Sequence, residues 1–199
     1  NMSRVNFSAG GDIATWSGAD SSNVILDEDD SDQVIGLSRT FRRRLYAFKG
    51  PNLGSVWEIT GTSPSTYDRS KIIEGAPCIA HNSIVTTPND IYWMSSSGFH
   101  SMLTTEKYGD TEELYISRPI DSIFRDLNFG QVDQVSGAWH PKFNYVAWAV
   151  PESGQTTNTV VFVYFYLTKQ WAVWRFTAFN PAILGTARNP LTTARETRL

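Results

Sequence analysis

Two charged runs are the first candidates for chemistry. In "LDEDDSD", Asp27, Glu28, Asp29, Asp30 and Asp32 fall within six positions. Hard cations such as Ca²⁺ are held by several carboxylate oxygens, so oxygen-rich spacing of this kind suits them. The run has no glycine at the turn position and no closing glutamate, so it is not an EF-hand loop. It reads as a solvated hairpin turn, or as a surface that meets a basic patch on a neighbour. In "RTFRRRLY", Arg39, Arg42, Arg43 and Arg44 supply the opposite charge just before an apolar strand. Guanidinium forks match carboxylates and phosphates, so the run suits an acidic neighbour or passing DNA. The same charges would also protect a strand edge from stray pairing. Opposite runs this close in sequence fit head-to-tail packing of identical subunits, a heterologous contact that can close a ring.

Other reactive residue types are scattered. His81, His100 and His140 have no second ligand at metal spacing, which reads as structural. Cys78, in "GAPCIA", is the single cysteine, so an intramolecular disulfide and a cysteine zinc site are excluded; it reads as a small buried hydrophobe. "DIYWMSSSGFHSM" resembles an aspartate-box hairpin but lacks the aspartate between serine and glycine. A glycosidase needs two carboxylates at a set separation, and no such pair stands out. No Ser–His–Asp order, phosphate loop or dinucleotide fingerprint is present. No catalytic residue, metal ligand or cofactor is expected.

Composition narrows the scaffold that must position these groups. The 199 residues are 41% hydrophobic and 19% charged, enough apolar material for a core. Aromatics make up 13%, with seven Trp, which favours strands. A net charge of −3 argues against wrapping nucleic acid as the main task. No apolar run approaches the roughly 20 residues of a membrane helix, and no signal peptide is visible. Met2 follows Asn1, so the sequence need not start at the natural terminus, and the chain closes on "NPLTTARETRL" within what reads as a polar tail over 187–199.

Along the chain, apolar runs alternate with turn signals such as "GPNLGS", "TPND", "SSSG" and "PESGQ". The pattern predicts strands near 4–9, 13–17, 23–27, 33–39, 43–49, 55–60, 68–74, 82–87, 90–95 and 98–104. Further strands are expected near 112–116, 134–140, 144–150, 158–167 and 170–177. In "SRPIDSIFRDLN", Ile120, Ile123, Phe124 and Leu127 share one helical face, with Ser117 placed as N-cap and Pro119 in the first turn. This predicts one amphipathic helix of two to three turns over 117–128. In "NTVVFVYFYLTKQWAVW", Phe162, Tyr164 and Tyr166 sit two apart, while Phe165 adds apolar area to the other face, so this strand must be covered on both sides. Trp57, Trp93, Trp148, Trp171 and Trp174 are expected between sheets. Loose repetition of aromatic hairpins at about 40–50 residues matches an all-β, propeller-like domain over 1–186 of about four blades; the alternative is a β-sandwich.

The ordered series "RVNFSAGGDIATWSG", "LYAFKGPNLGSVWEITG", "NDIYWMSSSGFHSM", "ISRPIDSIFRDLN", "AWHPKFNYVAWAVP" and "NTVVFVYFYLTKQWAVW" resembles the β-propeller structural proteins of tailed bacteriophages, within them the tail nozzle (tail tubular protein B) group. The likeness runs over about residues 4–186 and rests on the order of six stretches. It implies a non-enzymatic virion protein in a homo-oligomeric tail or neck ring through which DNA is ejected. It also implies contacts with other tail, adaptor or fibre proteins, transient passage of DNA and no membrane insertion. The family brings no catalytic residues. A closed propeller needs six to eight blades of about 40–45 residues each, more chain than this, so a longer polypeptide or another chain is expected to supply the rest. The rivals are a carbohydrate-binding or depolymerase propeller at the tail tip and a cellular scaffold propeller.

Overall fold

The computed structural model describes residues 3–10, 12–17, 21–103, 115–176, 179–188 and 195–198. The fold is mostly β, in antiparallel sheets, none of which closes on itself. The first sheet pairs β1 (Arg4–Phe7) with β2 (Ser22–Ile25). The second is a four-stranded meander of β3 (Gln33–Leu37), β4 (Leu45–Gly50), β5 (Ser55–Thr60) and β6 (Asp68–Glu74). The third joins β7 (Val85–Thr86), β8 (Ile91–Met94) and β9 (Phe99–Ser101), and an isolated bridge from His100 to Tyr115 continues it outward. The fourth is a second four-stranded meander of β10 (Ser136–His140), β11 (Tyr145–Val150), β12 (Val160–Phe165) and β13 (Gln170–Arg175). A last pair, β14 (Gly185–Arg188) and β15 (Arg195–Arg198), follows.

Strand periodicity explains why sheets stack in chain order. Successive side chains leave a strand on opposite faces. On β4, Ala47 joins a core with Val24, Leu26, Trp57 and Ile59 between the first two sheets. Its neighbour Phe48 points the other way, into a core with Val56, Ile73, Ile91 and Trp93 between the second and third. On β8, Tyr92 and Met94 turn from Trp93 into the next core, where they meet Phe99, Val146, Trp148, Phe162 and Tyr164. The opposite faces of β11 and β12 bury Ala147, Ala149, Val161 and Val163 beside Leu184. Both faces of β12 are therefore covered, as its aromatic sequence requires.

Two local expectations fail. The strand expected near 13–17 is a turn: Asp12 accepts hydrogen bonds from Ala14 N at 2.9 Å and Thr15 Oγ1 at 2.6 Å, a side-chain-to-backbone pattern that competes with strand pairing. The helix over 117–128 is shorter than expected. A 3₁₀ turn (Arg118–Ile120) runs into a single α turn, α1 (Asp121–Phe124). Ser117 caps nothing there; its hydroxyl accepts from Phe99 N at 2.9 Å instead. Beyond Phe124 the backbone pairs outward: Leu127 bridges Glu152, Asn128 N donates to Pro151 O, and Ser153 N donates to Asp126 O. Tertiary pairing replaces further helix, while Ile120, Phe124 and Leu127 are buried as expected and Ile123 is partly buried. The strand expected at 112–116 lies outside the described residues except for 115 and 116. Within the expected tail, 189–194 and 199 lie outside them and 195–198 pair with 185–188.

The first strands of successive sheets approach each other. β1 neighbours β3, and β10 neighbours β7. Gly36 on β3 lies under His81 and Ile84; a Cβ there would stand 2.4 Å from His81 Nδ1. On β10, a Cβ at Gly137 would stand 2.6 Å from Val85 Cγ2 and 2.8 Å from Trp148 Cδ1. Trp148 Nε1 also donates to Ser83 O at 2.9 Å, tying β11 to the loop before β7.

Candidate interaction surfaces

The acidic run is folded inward around a lysine. Lys49, on β4, is fully buried, and its ammonium donates to Leu26 O, Asp27 O and both carboxylate oxygens of Asp30, each at 2.6 Å. Four oxygens thus enclose one cation that the chain itself provides. The loop reaches this shape through left-handed backbone at Asp27 (φ 53°) and Ser31 (φ 60°). Asp32 is buried and accepts from Asn52 N at 2.8 Å and Gly54 N at 2.7 Å. Asp27 pairs with Lys71 at 3.2 Å, which holds its carboxyl below the usual range. Glu28 and Asp29 are exposed. Asp27, Asp30 and Asp32 are thus held by contacts within the chain. Among the described residues, no three of His, Cys, Asp and Glu are grouped to hold a metal.

The basic run is displayed. Phe41 and Arg44 exchange backbone hydrogen bonds at 2.9 Å in both directions, which closes a two-residue turn over Arg42 and Arg43. Both turn residues have positive φ, 50° and 65°, the geometry that Asn-Gly ordinarily fills. Arg44 pairs with Glu58 at 2.5 Å, and Tyr46 Oη donates to the same carboxylate at 3.1 Å. Arg42 lies over the Phe41 ring at 4.9 Å. Arg39 and Arg43 are exposed and make no ion pair among the described residues. The two charged runs sit at opposite ends of β3, five residues long, or about 16 Å apart. They are not brought together, and the second sheet is polarised along its strands.

Of the five singled-out tryptophans, Trp57, Trp93 and Trp148 are buried, and Trp171 and Trp174 are partly buried on opposite faces of β13. Trp148 stacks on Phe99 at 4.2 Å between ring centres. These rings fill the layers between sheets. The histidines are separate: His81 faces Ile35 O at 3.1 Å, and His140 Nδ1 accepts from Phe143 N at 3.3 Å. His100 is buried, stacked on Trp93, with Nε2 at 2.8 Å from Ser95 Oγ. Burial pushes its pKa down to about 4. Its Nδ1 has no hydrogen-bond partner among the described residues. Cys78 is buried, as expected, and burial pushes its thiol up to about 12.

Two groups escaped the sequence reading. Lys49 looks like an ordinary strand lysine in "YAFKGP"; only a long-range contact reveals its role, and its apolar neighbours were the available hint. Asp90 in "TPND" reads as a turn residue, yet it is buried and accepts from Ser101 Oγ at 2.5 Å, Ile91 N at 2.8 Å and Leu103 N at 3.1 Å. Burial raises its pKa. It anchors the third sheet.

A groove lies between β3 and β10, beside the loop before β7. Its volume is about 640 Å³, and Leu37, Arg39, His81, Asp133, Gln134 and Ile183 line it. A narrower continuation passes Thr86, Gly137 and Trp139. Trp139 is the one tryptophan along it, so stacked sugar recognition has little to work with. The chain matches no family model, and no curated protein matches it significantly.

Proposed function

We propose that this chain is a non-catalytic structural segment of a tailed-phage particle, a propeller-like stack in the tail nozzle or neck ring that helps form the conduit for DNA ejection. The observation that carries this reading is the succession of four sheets, each covering its neighbour, with β1 beside β3, β10 beside β7, and a groove lined from β3 and β10. Propeller blades meet in this way, inner strand to inner strand, with each sheet covering its neighbour. Glycines at Gly36 and Gly137 permit the close approach. Two-stranded sheets at both ends of the stack fit a propeller completed by further chain. The exposed Arg39, Arg42 and Arg43 are suited to an acidic surface of an identical neighbour, a tail, adaptor or fibre protein, or passing DNA, and the net charge of −3 favours transit over tight DNA wrapping. Burial of Trp57, Trp93 and Trp148 favours this structural role over a carbohydrate-binding one, which needs rings converging on a pocket.

The test is location. In phage particles purified from a culture carrying an epitope-tagged copy of the gene, gold-labelled antibody should decorate the tail. Label confined to the cell fraction, with none on particles, overturns the reading.

A further inference from the structure

The outer edges of the three larger sheets are managed differently. β6 carries Asp68, Arg69, Lys71 and Glu74 along its edge, and its pairing with β5 is broken by a bulge at Val56/Trp57. Both devices discourage a further strand. β9 is met by the 115–116 backbone, where Ile116 N donates to Phe99 O at 2.8 Å. β13 has no bulge, and its charges, Lys169 and Arg175, stand only at its ends. Its register with β12 is unbroken over all six residues, "QWAVWR" contains no proline, and no charge lies between Gln170 and Arg175. Among the described residues, its backbone hydrogen-bonds to β12 alone. An edge that is regular and free of charge between its ends is a template for another strand.

We infer that β13 pairs antiparallel with β13 of a second copy of this chain, joining the two fourth sheets into one continuous sheet about a two-fold axis. Geometry restricts the register. A two-fold axis normal to the sheet keeps each face on its own side, so paired residues must come from the same face. Trp171 and Val173 share one face, Ala172 and Trp174 the other. The axis therefore passes through one residue, not between two. An axis at Ala172 would set Lys169 against Arg175 of the partner, a repulsive pair. An axis at Val173 avoids this: Val173 meets its own copy, Ala172 meets Trp174, and Trp171 meets Arg175, whose charge is already paired with Glu152 at 2.6 Å. The second copy is favoured as occupant because this arrangement places no like charges opposite and sets a small side chain against each Trp174. An isologous contact stops at two copies, so it is separate from the lateral contacts of a ring and stands or falls without them.

Val173→Cys in the full chain tests both partner and register. Facing strands place Cα atoms about 4.5–5.5 Å apart, within disulfide range, and buried Cys78 stays silent. Mild oxidation should convert most of the Val173→Cys protein to a covalent dimer and leave Ala172→Cys monomeric. Light scattering should give twice the chain mass for wild type and one chain mass for Val173→Lys, whose circular dichroism matches wild type. A monomeric wild type, or equal crosslinking at 172 and 173, overturns the inference; so does a mass above two copies that Val173→Lys leaves unchanged.

Discussion

Replacing Arg42-Arg43 by Asn-Gly should make the protein more stable while removing two exposed charges. Both positions are left-handed, φ 50° and 65°, a conformation that costs an ordinary L-residue about 1–2 kcal/mol. Asn and Gly adopt it with little strain, which recovers about 2 kcal/mol over the pair. Against this, Gly adds about 0.5–1 kcal/mol of chain entropy to be lost on folding. Loss of the exposed Arg42–Phe41 contact removes about 0.5 kcal/mol more. The balance is a gain of about 1 kcal/mol, or about 2–4 °C in Tm for a chain of this size. Urea unfolding of the full polypeptide, followed by tryptophan fluorescence, reads this directly, with each single variant alongside. Gly at 43 alone should provide most of the gain. If the double variant is less stable than wild type with unchanged m-value, the turn is not strained as described. If the arginines serve assembly, the same variant should enter particles less well despite its higher stability.

Other outcomes follow from the layers. Lys49→Met leaves the Asp30 carboxylate and two carbonyls without their cation, which should cost about 3–5 kcal/mol, read by urea midpoint; a loss below about 1 kcal/mol would mean the loop opens to water readily. Gly137→Ala should cost about 1–3 kcal/mol by thermal unfolding, because its Cβ collides with Val85 and Trp148; a neutral result would separate β10 from β7. Trp148→Ala should cost about 3–5 kcal/mol and Trp174→Ala distinctly less, since only Trp148 is fully buried. His100 sets an acid limit: its pKa falls from 6.5 to about 4 on folding, so below 6.5 the unfolded chain binds a proton that the native state refuses. Stability therefore drops as pH falls from 6.5 toward 4, by about 3 kcal/mol from this residue alone, with Asp90, whose raised pKa has the opposite sign, offsetting part of it. His100→Gln should flatten the slope between those pH values, and an unchanged slope would place the sensitivity elsewhere.

Period-two runs bounded by turn residues made most strands readable, because a strand covered on both faces must be apolar on both, as β11 and β12 are. Layer order was less accessible, since pairing within a meander is local whereas stacking depends on long-range shape. The helix over 117–128 misled because its apolar spacing is real, and three of its four face residues are buried. Sequence could not show that the backbone beyond Phe124 would find partners at 151–153. The acidic run hid its internal partner for a related reason. One of its carboxylates, Asp30, joins two backbone carbonyls around a cation, and that cation is Lys49, from a strand 19 residues away. Charge spacing reports what a loop can hold and not which part of the chain arrives to be held.

This difference separates the two ends of the second sheet. At the acidic end, left-handed Asp27 and Ser31 have a local return: they bend carbonyls and a carboxylate onto a buried ammonium. At the basic end, Arg42 and Arg43 are left-handed with no comparable internal contact beyond one ring face. Strain that the fold does not use is informative, because only structure that over-determines it, or a role outside the folded chain, keeps it in place. The turn closes through backbone hydrogen bonds that Asn-Gly would form equally well. The fold therefore accounts for a turn at this point but not for two arginines in it. Both are exposed, and the length of β3, about 16 Å, separates their turn from the acidic run. The arginine pair is therefore the place at which the proposed contact with an anionic surface is to be tested.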